Sequence, residues 1–336
     1  MVYKKKVLFL SSVVGVLALL YAGTWIFEPE RVHSRNAAFQ WLDPKRLDEV
    51  DRIELSGSSR DPLTLIRKEA AWFVSRDDGE YPAKQGRIED FLRILSTKGA
   101  YPVRGTETAS HERLGLTEAA ASRILIRGGA AADPLLDLLV GSQDPTGREV
   151  YLRKQGQPEI RSGNDILSGY ISSSKTAWYN LRLFPEAENS GLGVDSVQRI
   201  TVYPLASSLE QATEAEEPSA PEGPFSLSRS QEGWIIEGAS VPELDTQRVE
   251  SYIRSIVDAE GEDFIPAPAG IKEDGFNQGQ IILELGNGLR RSIRIGPALD
   301  SNNQRSALVS DTPFIYALAE WTMSRLFRTA SYFEKP

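Results

Sequence analysis

The chain carries one pattern twice, and a duplicated pattern calls for two copies of one folded unit. Arg52-Ile53-Glu54-Leu55 returns as Arg199-Ile200-Thr201-Val202, 147 residues on. A hairpin-like pair with Trp72 (LTLIRKEAAWFVSR) returns with Trp234 (FSLSRSQEGWIIEG), 162 residues on. The growth in offset is taken up by residues 206–224. Five Glu, three Pro and no aromatic residue there cannot build a core, so a mobile acidic loop is expected.

A helix follows in each copy. Ile88, Phe91, Leu92 and Leu95 in the first, and Val249, Tyr252, Ile253 and Ile256 in the second, sit at the i, i+3, i+4, i+7 spacing of one apolar stripe. Asp245 or Thr246 can cap the second helix. Two hairpins come next in each copy. The first turns at Gly128-Gly129 or at Gly286-Asn287-Gly288, the second at Gln155-Gly156 or at Asp311-Thr312-Pro313. A last landmark, Trp178-x3-Arg182-Leu183-Phe184, matches Trp321-x3-Arg325-Leu326-Phe327. One helical stripe needs a sheet face to bury it, so the expected fold class is α+β, mostly antiparallel sheet plus helix. Repeat domain 1 is expected at 47–185 and repeat domain 2 at 194–334, joined by the polar PEAENSGLG at 185–193.

Residues 7–27 are 21 residues without a charge. As a helix they would span about 31 Å, close to the hydrocarbon core of a bilayer. Lys4, Lys5 and Lys6 precede the run, Arg31 and Arg35 follow it, and Tyr21, Trp25 and Phe27 crowd its outer end. The positive-inside rule then gives a cytoplasmic tail at 1–6, a single transmembrane helix at 7–27 in contact with membrane lipid, and a juxtamembrane linker at 28–46. A cleaved signal peptide is the rival. Its apolar region would be shorter, and Ala22-Gly23-Thr24 before Trp25 is a poor cleavage site. Either way the bulk of the chain is expected outside the cytoplasmic membrane, on the periplasmic side.

Composition excludes several kinds of chemistry. With 38 Lys and Arg against 47 Asp and Glu, net charge −9, there is no basic footprint for nucleic acid. No Cys is present, which removes disulfides, thiolate metal sites and Cys nucleophiles. Of the two His, His33 reads as solvated and His111 as a surface or helix-capping residue. Neither lies in a nucleophile or zinc motif, and no phosphate loop occurs. Asp77-Asp78 and Glu262-Asp263 could in principle form a glycosidase pair, but both fall where turns are expected. Asp300-Ser301-Asn302-Asn303-Gln304 and its counterpart Ser142 to Gly147 read as turns rather than Ca²⁺ loops. No catalytic, cofactor-binding or metal residue is therefore assigned. The paired Trp178 and Trp321 read as core, with Arg182 and Arg325 lying over the rings or pairing with carboxylates.

Several segments together resemble a bacterial membrane-anchored family defined by a domain of unknown function. They are Arg52 to Leu55, Leu63 to Val74, Tyr81-Pro82-Ala83, Leu114-Gly115-Leu116, Leu138 to Gly141 and Val150 to Arg153, after a Lys-rich start and one apolar run. Copy two departs, with Val241-Pro242-Glu243 for Tyr-Pro-Ala and no clean Leu-Gly-Leu. Members are often encoded beside gliding-motility-type ABC transporter auxiliary proteins, and the family brings no catalytic residues. The resemblance implies a non-catalytic accessory protein of an ABC-type transport system, partnered with a permease or auxiliary subunit. Two alternatives stand beside it. An exposed Trp178 or Trp321 beside a groove would favour a cell-envelope glycan-binding module. A deep pocket holding two acids would favour a carboxylate-dependent envelope hydrolase.

Overall fold

The structure, a computed structural model, describes residues 38–57, 60–129, 133–185, 192–205, 223–266, 273–299 and 303–336, with Val14, Gly15 and Leu17 besides. In chain order the first half gives β1 (Ala38–Phe39), β2 (Val50–Gly57), β3 (Arg60–Lys68), β4 (Ala71–Arg76), β5 (Gly79–Pro82), α1 (Gln85–Ser96), β6 (Gly99–Ala100), β7 (Val103–Gly105), α2 (Ala109–Arg113), β8 (Ser122–Gly128), β9 (Leu136–Gln143), β10 (Glu149–Lys154), β11 (Ile160–Asn164) and α3 (Ile166–Ser172). The second half gives β12 (Val197–Tyr203), β13 (Phe225–Ser230), β14 (Gly233–Glu237), α4 (Thr246–Val257), β15 (Asp263–Ile265), β16 (Gln280–Leu285), β17 (Arg290–Ala298), β18 (Arg305–Val309), β19 (Ile315–Leu318) and α5 (Glu320–Leu326). By their contacts the residues form two compact units: Met1–Ser75 with Ala83–Ala177, and Arg76–Pro82 with Trp178–Pro336.

Two large antiparallel sheets share one strand order. The first runs β5-β4-β3-β2-β8-β9-β10-β11-β7 and the second β14-β13-β12-β16-β17-β18-β19-β15. Apart from the extra edge strand β5, each strand of one has its counterpart in the other. The register repeats as well. Ile53 stands opposite Leu65 and Ile126, and Ile200 opposite Leu227 and Leu283. Arg67 faces Trp72, and Arg229 faces Trp234, whose ring lies 5.2 Å from the guanidinium carbon. The apolar partners in these rows are buried, because residues of one parity point into the core.

The helical stripes form as their periodicity demands. α1 buries Ile88, Phe91, Leu92 and Leu95; α4 buries Val249, Tyr252, Ile253 and Ile256. Each such side chain is worth roughly 1.5–3 kcal/mol relative to exposure. Of the two cap candidates the fold uses Asp245, whose carboxylate accepts from the Gln247 and Arg248 amides at 2.9 and 3.1 Å. α1 starts at Lys84 with no side-chain cap.

The expected fold class needs correction. The described chain is predominantly antiparallel β-sheet, in sheets of nine, eight and two strands, rather than α+β. A helix is about 10 Å across, whereas eight strands about 4.8 Å apart span roughly 34 Å. The one twelve-residue helix of each half, α1 or α4, therefore covers a minor part of its sheet. The transmembrane helix expected at 7–27 finds no support among the described residues. No helix among the described residues is long and apolar enough to cross a membrane, and of the run 7–27 only Val14, Gly15 and Leu17 are described. Residues 38–46, within the stretch read as a linker, bury Trp41 and Leu42, whose amides both donate to the Leu95 carbonyl. Residues 206–222 of the acidic segment and 186–191 of the joint lie outside the described residues.

Candidate functional site

His33 lies outside the described residues. His111 is on α2 and only 8% exposed, with Nε2 3.2 Å from the Pro158 carbonyl oxygen, so the surface reading is corrected. Asp144 spends its carboxylate on its own turn. It accepts from the Arg148 and Glu149 amides, each at 2.9 Å, and from the Thr146 hydroxyl at 2.7 Å. The Glu149 amide and the Thr146 hydroxyl lower its pKa to about 2. In the other loop Asp300, Ser301 and Asn302 are not described, and Asn303 adopts φ 53°. Among the described residues no three His, Asp or Glu side chains converge on a common point.

Three of the segments that carry the family resemblance meet in one knot of the first unit. A Cβ on Gly141 would lie 2.3 Å from the Leu114 carbonyl oxygen, so only glycine lets the Leu114-Gly115-Leu116 backbone approach. The Ser142 amide then donates to that carbonyl at 2.9 Å. Arg153, itself buried, donates through Nη2 to the Leu116 carbonyl at 2.8 Å and through Nη1 to that of Gln157 at 3.0 Å. Leu116 packs with Ala121, Leu139 and Ile160. These segments are packing devices. In copy two, which has no Leu-Gly-Leu, the matching Gly296 admits the Phe276 ring instead.

The two carboxylate pairs each send one member to a single arginine of the second unit. Arg76 Nε donates to Asp78 at 2.8 Å, Nη1 to the Phe264 carbonyl at 3.2 Å, and Nη1 lies 3.8 Å from Asp263. The guanidinium sits 4.6 Å from the Tyr81 ring, which stacks on Phe264 at 5.0 Å; Tyr179 meets Phe264 edge-on at 5.3 Å. Burial alone would raise the Asp78 carboxyl, but the bond to Arg76, its charge and the Tyr81 hydroxyl outweigh it and leave the pKa low. Asp263 goes the other way. Burial raises it, and the Phe264 amide and Arg76 only partly compensate. With the cation near both acids, each carboxylate spends its charge within an ion-pair network.

The recurring Trp-x3-Arg-Leu-Phe motif separates. Trp178 ends a 3₁₀ turn (Lys175–Trp178) and is fully buried, with Leu183 and Phe184. Trp321, on α5, is 55% exposed, which corrects its reading as core. Its ring borders a groove of about 200 Å³ between the C-terminal end of α4 and α5, lined also by Ser255, Asp258, Glu260, Thr322 and Arg325. Arg325 lies over the Trp321 ring at 5.5 Å, while Arg182 pairs with Asp258 at 3.4 Å. The Arg182 backbone bridges that of Glu260, with Leu183 donating to Ala259 and Gly261 to Leu181 at 2.9 and 2.8 Å. The Thr322 hydroxyl is buried without a hydrogen-bond partner. Sequence reasoning missed Ser255, Asp258, Glu260 and Thr322. Ser255 and Thr322 left only a position on a helix face, and Asp258 and Glu260 follow the end of α4, since the groove forms when residues some 65 apart in the chain meet.

A family model described as a domain of unknown function, DUF4340, matches residues 72–279, more than half of the chain. The chain belongs to the DUF4340 family. The match opens at the Trp72 of β4 and closes just before β16, so it takes in the knot around Gly141 and Arg153 and the α4 side of the groove. No curated protein and no solved structure matches this DUF4340 chain.

Proposed function

We infer that this DUF4340 protein is a non-catalytic accessory protein of an ABC-type, gliding-like transport system. It acts at the cytoplasmic membrane with the bulk of the chain on the extracytoplasmic side, where it binds a permease or auxiliary subunit. The uncharged run 7–27 behind Lys4–Lys6 supplies lipid affinity. The observation that carries the reading is a surface present in both sheets. Each has one face crossed by ion pairs: Arg52–Glu54 and Arg123–Asp137 in the first, where they flank the knot around Leu139, and Arg199–Glu237 at 2.7 Å and Arg290–Glu284 at 2.8 Å in the second. Such mixed-charge faces give register and selectivity to a protein partner more than raw affinity. The test is affinity capture from gently solubilised membranes with tagged full-length protein, beside a version lacking residues 1–28. Recovery of transporter subunits that falls away on truncation is the expected result; recovery of none overturns the reading.

A second reading, a cell-envelope glycan-binding module, draws support from one observation, the exposed Trp321 at the edge of a groove lined by both apolar and polar side chains. Retention of the full-length protein on purified envelope glycan tests it.

A further inference from the structure

We propose that the groove beside Trp321 is a subsite for one neutral sugar ring of an envelope glycan, with the Trp321 indole as its stacking platform. The inference rests on the glycan-binding reading and gives it an address. Three observations converge. Trp321 leaves 55% of its surface to solvent beside the groove, and with Arg325 5.5 Å from its ring centre on one side it offers the other face of the indole for stacking. The walls carry hydrogen-bonding groups of both kinds: carboxylate acceptors from Asp258 and Glu260, a guanidinium donor from Arg325, and hydroxyls from Ser255 and Thr322. Ser255 already donates to the Tyr252 carbonyl at 2.7 Å, so it offers a lone pair, whereas the Thr322 hydroxyl is buried and unpartnered. A buried hydroxyl with no partner is destabilising, because it has given up its bonds to water. A ligand hydroxyl, or a water it carries, removes that cost on binding.

Charge narrows the class of ligand. Asp258 and Glu260 are matched by Arg325 and by Arg182, which pairs with Asp258. The site thus favours neither a cation nor an anion. A neutral polyhydroxylated ring answers both the aromatic platform and the alternating donors and acceptors. At about 200 Å³ the groove is smaller than the roughly 300–1,000 Å³ of drug-sized pockets, which suits one ring of a longer chain passing over the surface.

The test uses full-length protein and calorimetric titration with chitotetraose, cellotetraose and maltotetraose. The wild type is expected to bind at least one of them. Trp321→Ala should weaken that binding at least about tenfold, as loss of an aromatic anchor does. Thr322→Val should weaken it several-fold while the thermal midpoint stays level or rises; a purely structural Thr322 would leave binding untouched. Tyr203→Ala, which trims an exposed aromatic in β12, should leave binding unchanged. Wild-type binding that survives Trp321→Ala intact overturns the subsite and leaves the glycan reading standing. No binding to any of the three sugars, with no retention on envelope glycan, overturns both.

Discussion

Trp178 and Trp321 stand in the same Trp-x3-Arg-Leu-Phe setting, yet one is fully buried and the other is 55% exposed. Their elements account for the difference. In each repeat the last hairpin is followed by a seven-residue helix, α3 or α5, and then by a 3₁₀ turn, Lys175–Trp178 or Ala330–Phe333. Trp178 is the last residue of its turn. Trp321 lies one element earlier, on α5. The residue that holds Trp178's place in the second repeat is Phe333, also fully buried, with its ring 5.1 Å from Tyr252 and 5.9 Å from Phe225. Strand and helix order identifies equivalent residues more reliably than a seven-position motif does. An apolar Leu-Phe pair beside Trp can recur wherever a chain re-enters its core.

The strongest way to break this equivalence is to empty both places. Trp178→Ala and Phe333→Ala should each cost about 3–5 kcal/mol, read by urea unfolding of the full-length protein. If Phe333→Ala cost under about 1 kcal/mol while Trp178→Ala kept its full effect, the pairing would be wrong. Next in size is the glycine of the knot. Gly141→Ala should lose about 1–3 kcal/mol by overpacking against the Leu114 carbonyl. Gly105, where an added Cβ meets nothing within 4 Å, serves as the control and should be near neutral.

A third contrast sets two carboxylates around Arg76 against each other. Asp78 has a lowered pKa in the folded chain, so it contributes stability above the ordinary carboxylate range and loses it as pH falls through the folded value. Asp263 has a raised pKa, so its contribution is present below that range and is lost as pH rises through the folded value. Asp78→Asn should therefore lower the thermal midpoint at pH 7 and flatten its acid limb, and Asp263→Asn should raise the pH 7 midpoint. Shifts of the same sign in both variants would refute the opposed assignment. The smallest expected effect belongs to the exposed member of the opening comparison. Trp321→Ala should change folding stability by no more than about 0.5 kcal/mol, because little of its ring area leaves water on folding.

Much of the local architecture could be read from residues alone. The stripes of α1 and α4, the Asp245 cap and the paired strands through Ile53 and Ile200 follow from periods of 3.6 and 2. The turns at Gly156 and Gly288, where φ is 77° and 80°, follow from residue type. Class was misjudged because one strong helical stripe weighed as much on paper as a whole sheet. The site was less legible still. That Asp78 and Asp263, from separate acidic pairs, share Arg76, and that Arg182 meets Asp258 beside Trp321, depends on backbone segments brought together from far along the chain.

Local pattern, then, settled which stretches would be helix, strand or turn, and which side of each would be apolar. Backbone geometry imposes those choices over a few residues, and the side chains within that span carry the signal. Long-range packing settled which of two like tryptophans would be buried, where the Arg153 guanidinium would find its carbonyls, and that a groove would open beside α5. Those outcomes turn on close approach between distant segments, such as the one that the missing Cβ of Gly141 permits, and no short window of sequence contains both partners.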